Sequence, residues 1–69
     1  MDYELKDEAL GKDLSGADLT DTILVQANLS AAILTVVDLT GADLSHANFY
    51  GANLVAADLT GAVGADPYD

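Results

Sequence analysis

The chain has 69 residues, no cysteine, and a formal net charge of −10 from twelve acidic and two basic residues. The lack of cysteine excludes disulfides and thiolate metal sites, and the single histidine excludes a conventional zinc site. The acidic balance excludes direct nucleic-acid binding through a basic patch and disfavours contact with anionic membranes.

Residues 1–11, MDYELKDEALG, precede the regular part of the sequence. This segment is acidic and lacks the basic and then apolar layout of a signal peptide. No apolar run in the chain approaches the length of a membrane span. We therefore expect a soluble, cytoplasmic protein, and we predict that residues 1–11 form a short N-terminal cap, with Leu5 and Leu10 against the interior.

Residues 12–66 repeat a five-residue pattern of alanine, then Asp or Asn, then a large apolar residue, then two variable positions. The residue two positions before the large one is alanine in most repeats. The large residue recurs ten times without a gap, at Leu14, Leu19, Leu24, Leu29, Leu34, Leu39, Leu44, Phe49, Leu54 and Leu59. We predict that these ten residues form the structural core.

A period of five fits neither a helix nor a flat strand. Five residues advance an α-helix by about 500°, which would spread the large residues around the whole helix. On a flat strand an odd step places successive large residues on opposite faces. The pattern therefore requires a corner every five residues, with the large residue and the small one before it facing inward. Successive coils of such a chain would stack at strand spacing, about 4.8 Å.

The A-[DN]-L-x-x pattern, as in GADLS at residues 41–45, resembles the pentapeptide-repeat family. The resemblance implies an all-β fold, the right-handed quadrilateral β-helix, which is a solenoid with four corners per coil. Residues 12–66 would then make about two and a half coils. The sequence departs from the pattern at Ile23 and Ile33, where Asp or Asn is expected, and at Gly64, where Leu is expected.

The outward residue before each large one is Asp or Asn in eight repeats. Such side chains bond to nearby backbone in turns, so we interpret them as corner chemistry rather than as a binding surface. The column of Asp18, Asp38 and Asp58 could bind a cation, but no flanking ligands accompany it and we interpret it as solvated. His46 is interpreted as a surface residue.

Several outward positions are apolar. Under four-sided stacking Ile33, Val36 and Val55 share one side, and Tyr50 lies outward on another. Three neighbouring aliphatic residues are a sizeable fraction of one side of so small a body, so these four residues are our candidate protein contacts. The alternative is that the aliphatic residues are ordinary exposed side chains that favour an extended backbone.

Residues 67–69 form a C-terminal tail, and Pro67 would stop further coiling. The tail is too short for a cap, so this end is either a dimerisation surface or the mark of a chain cut from a longer one. Acidic residues near both chain ends, such as Asp2, Glu4 and Asp66, would guard an open β-helix end against stacking on another chain.

No catalytic constellation is present. No serine or threonine is paired with a histidine and a carboxylate at a recognisable spacing, and no glycine-rich loop precedes a lysine. We therefore expect a non-enzymatic chain with no cofactor, metal or small-molecule substrate. It would be a structural or protein-interaction module that presents the walls or the end of a short rigid β-helix to a protein partner or to a second copy.

Two alternatives remain open. The first is an acidic DNA mimic that binds a type II topoisomerase such as gyrase, as some members of the resembled family do. A rod of about 13 Å corresponds to about eight DNA charges, comparable to the −10 here, although many of these charges lie near the chain ends. The second is an ice-binding face on the column Thr20, Thr40 and Thr60, which lacks the second threonine of a flat array.

Overall fold

The computed structural model describes residues 9–64. Residues 1–8, which make up most of the predicted cap, and the predicted tail lie outside this range, so both stay predictions. Within residues 9–64 the backbone contains no helix and no continuous strand. It consists of single bridged residues that alternate with tight turns, one bridge position and one turn in every five residues.

The bridges give the geometry of the coil. All are parallel, and each joins residues twenty positions apart: Asp13 to Ile33, Asp18 to Asp38, Ile23 to Asp43, Asn28 to Asn48, Ile33 to Asn53, Asp38 to Asp58, and Asp43 to Val63. The chain therefore returns to the same side of the body every twenty residues. Because it turns a corner every five residues, each coil has four sides.

Each corner is a hydrogen-bonded turn that begins at the large apolar residue. The N–H of Ala17 donates to the carbonyl of Leu14 at 3.1 Å, and the N–H of Ala42 donates to that of Leu39 at 3.0 Å. The second central residue of the turn has a positive φ, for example 73° at Gly16, as a type II turn requires. Glycine occupies this position at several corners, but within residues 9–64 six corners use another residue: Asp21, Gln26, Ala31, Val36, His46 and Ala56.

Backbone hydrogen bonds run between coils. The N–H of Leu34 donates to the carbonyl of Asn53 at 2.7 Å, and the N–H of Asp38 donates to that of Ala17 at 2.9 Å. These bonds lie along the coil axis, so the middle of each side has its backbone groups bonded to neighbouring coils. A partner can therefore contact the sides through side chains rather than by adding a strand.

The four sides are called walls here, and each contains the residues that stack on one another. Wall 1 comprises residues 12–16, 32–36 and 52–56; wall 2, residues 17–21, 37–41 and 57–61; wall 3, residues 22–26, 42–46 and 62–64; wall 4, residues 9–11, 27–31 and 47–51.

The interior is one apolar cluster built from the large and small residues of every repeat. Leu14, Leu54 and Leu59 are half-buried and pack against it, while the other seven large residues are buried. Burying one such side chain contributes about 1.5–3 kcal/mol to folding. The inward Thr22 is also buried, and its hydroxyl donates to the Leu19 carbonyl at 2.7 Å. Regular packing thus supplies a core in a chain without cysteine.

Two details at the ends of the described range differ from regular repeats. The prediction that Leu10 packs against the interior is wrong, because Leu10 is 55% exposed and Ala9, five residues before Leu14, takes the inward position. Leu5 lies outside the described residues. At the other end Gly64 holds the position of a large residue but has a φ of 70°, and a Cβ there would lie 2.8 Å from the Ser45 Cα. The regular corner pattern therefore ends before Gly64.

Candidate protein-contact surface

The outward Asp and Asn residues hold the corners in shape. In all eight repeats that carry one, its Oδ1 accepts a hydrogen bond from the backbone N–H two residues later. Where that later residue is serine or threonine, its hydroxyl donates to the same oxygen, as Thr40 does to Asp38 at 2.6 Å. The interpretation of these residues as corner chemistry is confirmed.

These bonds also keep the carboxylates charged. The hydroxyl of Thr40 and then its N–H lower the pKa of Asp38, and Thr20 and Thr60 do the same for Asp18 and Asp58. The charge of Asp38 raises the pKa of both neighbours in the column, but the net direction is downward. Local hydrogen bonding therefore outweighs mutual repulsion along the column.

Other candidate chemistries find no support in the described part of the chain. Residues 9–64 contain no group of three or more histidine or acidic side chains that could hold a metal ion. No helix in this range is long and apolar enough to cross a membrane. His46 is exposed at a corner with a φ of 61°. The hydroxyls of Thr20, Thr40 and Thr60 donate to the aspartates beside them, so this threonine column is not a free hydroxyl array.

Charge is distributed unevenly over the walls. Residues 9–64 carry six acidic side chains, and four of them, Asp18, Asp21, Asp38 and Asp58, lie on wall 2. Wall 3 has Asp43, wall 1 has Asp13 beside Lys12, and wall 4 has no charged residue in this range. Duplex DNA presents phosphates on both strands. The DNA-mimic hypothesis stays a prediction, and the one-sided charge of residues 9–64 is unlike a duplex.

The predicted apolar contact residues meet on wall 1. Ile33, Val36 and Val55 are 40%, 66% and 68% exposed, and we refer to these three residues as the wall-1 patch. The N–H of Val36 donates to the carbonyl of Val55 at 3.0 Å, which joins the two valines across adjacent coils. Tyr50 is 84% exposed but lies on wall 4 and is not part of this patch.

A second set of exposed aliphatic residues, Ile23, Val25 and Val63, lies on wall 3. We did not predict Val63 as an exposed contact candidate from the sequence, because it lies just before the irregular Gly64. The sequence did contain a signal for it, namely an apolar residue in the outward position that Asp or Asn usually occupies. Asp43 bridges to both Ile23 and Val63, so a carboxylate separates them. Wall 1 has no such interruption between Val36 and Val55.

The wall-1 patch departs from the residues that the corner prefers. Val36 has a φ of 59°, and a β-branched residue in this left-handed region is strained. Ile33 takes the place of the Asp or Asn whose Oδ1 would bond the backbone of residue 35. Two positions in one patch thus carry apolar side chains where the local structure favours glycine and an amide or carboxylate. Strain of this kind is a physical reason to look for function.

The comparisons with known proteins agree with this architecture. The family model "Pentapeptide repeats (8 copies)" matches residues 13–49 and 37–63. No curated protein matches the chain. A pentapeptide repeat protein from the thylakoid lumen of Arabidopsis thaliana is 36% identical, with a TM-score of 0.78 over 80% of this chain and 38% of that one.

HetL, a pentapeptide repeat protein involved in regulating heterocyst differentiation in the cyanobacterium Nostoc, is 33% identical, with a TM-score of 0.53 over 74% of this chain and 27% of HetL. The chain thus spans well under half the length of both solved neighbours. Such neighbours imply a right-handed quadrilateral β-helix, and pentapeptide repeat proteins are generally non-enzymatic modules for protein interaction. From the repeat, the coil and the match over residues 13–63, the chain belongs to the pentapeptide repeat family.

Proposed function

We propose that this chain is a non-catalytic protein-interaction module whose contact surface is the wall-1 patch. The observation that carries the proposal is the pairing of Val36 and Val55 across adjacent coils, both largely exposed, with Val36 in a strained conformation. A glycine at position 36 would relieve that strain without disturbing the core, because the side chain points outward. The presence of valine at position 36 is therefore explained by contact with a partner rather than by the fold.

The rigidity of the wall favours this role. The backbone of both coils under the patch is bonded to neighbouring coils, for example Leu34 N–H to the Asn53 carbonyl at 2.7 Å. The inward side chains Leu34 and Val37 are fully buried in the core. The three aliphatic side chains are therefore presented on a fixed frame, and little backbone order has to be gained on binding.

The size of the body limits the strength of the contact. Wall 1 has fifteen described residues, and only those that face outward can contact a partner. A standard stable interface uses about 20–30 residues from each partner. We therefore expect a moderate, reversible contact, or a partner that also covers an adjacent wall.

The experiment is affinity capture from a cell lysate with three versions of the immobilised chain: wild type, Val55→Asp and Val25→Asp. Val25 is the matched control, because it is an exposed valine in the same outward slot on wall 3. We expect a protein that is retained by wild type and Val25→Asp but lost with Val55→Asp. Circular dichroism of the variants checks that each is folded. If Val55→Asp is not folded, Val55→Ser replaces it in the experiment.

Light scattering on the same three samples covers the case in which the partner is a second copy. A mass that doubles for wild type and Val25→Asp but not for Val55→Asp would place the contact on wall 1 as well. The proposal is wrong if Val55→Asp and Val25→Asp retain the same proteins and have the same mass as wild type.

A further inference from the structure

The wall-1 patch has one acidic border and one neutral border. Each coil that carries the patch continues around a corner into wall 2, so Asp38 follows Val36 by two residues and Asp58 follows Val55 by three. On the opposite side the patch adjoins wall 4, which has no charged residue among those described. The apolar side chains therefore lie between a row of carboxylates and a neutral wall.

From this arrangement we infer that the wall-1 patch binds an amphipathic segment of a partner protein, with aliphatic residues on the patch and lysine or arginine residues along the wall-2 border. This inference rests on the proposed function and names the partner's chemistry. The apolar contact supplies most of the affinity, and the carboxylates orient the segment, because electrostatic complementarity sets specificity and association rate more than affinity.

The carboxylates on this border are fixed and charged. The N–H and hydroxyl of Thr40 donate to Asp38 at 3.0 and 2.6 Å, and those of Thr60 donate to Asp58 at the same two distances. A carboxylate has about four acceptor positions, so each retains capacity for a basic side chain. An acidic partner segment would instead be repelled by the carboxylates along the whole wall-2 border.

A second copy fits this surface less well. Each copy carries a formal charge of −10, so two copies repel one another as they approach. Wall 1 also has only fifteen described residues, fewer than the roughly 20–30 that each partner contributes to a standard stable interface. A basic segment gains from the same charge that opposes self-association.

The test measures binding of three short labelled peptides by fluorescence anisotropy. The first is an amphipathic helix of leucine and lysine, the second has glutamate in place of lysine, and the third has serine in place of leucine. We expect the leucine–lysine peptide to bind wild type at least about tenfold more tightly than either of the others. Higher salt should weaken its binding.

Matched variants locate the site. Val55→Ser should weaken binding of the leucine–lysine peptide about tenfold, and Val25→Ser, in the same slot on wall 3, should not. Asp38→Asn should weaken it about threefold, whereas Asp43→Asn should leave it unchanged. Both aspartates are half-buried and bonded to the hydroxyl two residues later, and asparagine keeps the acceptor oxygen.

Equal binding of the peptide to Val55→Ser and Val25→Ser would overturn the inference, because binding would then follow overall acidity. Tight binding of the glutamate peptide, or a wild-type dimer that Val55→Ser dissociates, would overturn it too. If capture from lysate is lost with Val55→Asp but the leucine–lysine peptide does not bind, the proposed function stands and only this inference fails.

Discussion

At the scale of single residues, the corners show where sequence and local structure disagree. Every corner needs a left-handed residue, and Gly16, Gly41, Gly51 and Gly61 meet that need without strain. Val36 meets it with a β-branched side chain at a φ of 59°. The left-handed region costs an ordinary residue about 1–2 kcal/mol. Glycine avoids this cost, but its greater chain entropy in the unfolded state offsets part of the gain in stability.

Val36→Gly should therefore raise the free energy of unfolding by about 0.5–1 kcal/mol while it removes a candidate contact residue. Gly16→Val is the converse control at the equivalent corner of wall 1, where a Cβ would meet no atom within 4 Å. It should lower stability through backbone strain alone. Urea denaturation monitored by circular dichroism measures both, and a loss of stability in Val36→Gly would show that the valine contributes to the fold.

At the scale of the repeat, the Asp and Asn turns act as a set. Hydrogen bonds from hydroxyl and N–H groups lower the pKa of Asp13, Asp18, Asp38, Asp43 and Asp58. A carboxyl whose pKa is lower in the folded state stabilises the fold above its unfolded value, about 3.9, and that contribution is lost as the pH falls through the folded value. The turns are therefore sensitive to acid.

The stability of the triple variant Asp18→Asn, Asp38→Asn and Asp58→Asn should be less sensitive to acid than that of the wild type. Asparagine accepts the same N–H bond, as Asn28 does from Ser30 at 3.1 Å, but it does not titrate in this range. We expect the stability difference between pH 7 and pH 3 to be smaller in the triple variant than in wild type. Thermal unfolding across this range measures it, and an equal or larger pH effect in the variant would contradict the role of these turns.

Much of the repeat was predictable from the sequence, and the reason is geometric. A fixed spacing of large and small residues specifies which side chains face inward, as Leu34 and Ala32 do. The number of sides was not in the period, and at the sequence level it came from the family resemblance. The left-handed conformation of the corner residues was not predicted from the sequence, and because valine seldom adopts it, the strain at Val36 is evident only from its φ of 59°.

The start of the coil was harder to predict for a similar reason. Ala9 takes the inward position of a large residue, and alanine in that slot does not stand out from the alanines of the repeat. The neighbouring Leu10 was predicted to be buried, but it is exposed. The position of the candidate contact residues Ile33, Val36 and Val55 on wall 1 followed from stacking at twenty residues. Tyr50, the fourth candidate, lies on wall 4 and is separate from these three.

At the scale of the whole molecule, the proposed function depends on the four walls having different surfaces. Wall 2 is acidic, wall 1 carries the aliphatic patch, and wall 4 is uncharged over the described residues. This separation follows only because the chain closes after twenty residues, which places Asp18, Asp38 and Asp58 in one column and Val36 beside Val55. A coil with a different number of residues would mix the walls and remove the proposed contact surface.

Hydrogen-bond scalar couplings in a labelled sample test this closure most directly by NMR. We expect couplings from the Leu34 amide nitrogen to the Asn53 carbonyl carbon, from Leu39 to Asp58, and from Leu24 to Asp43, since these pairs are bonded at 2.7–2.8 Å. Each pair is 19 residues apart, as the twenty-residue coil requires. If the amides of Leu24, Leu34 and Leu39 instead couple to carbonyls at helical spacing, or at any separation other than 19 residues, the four-walled coil and every surface assigned to it are contradicted.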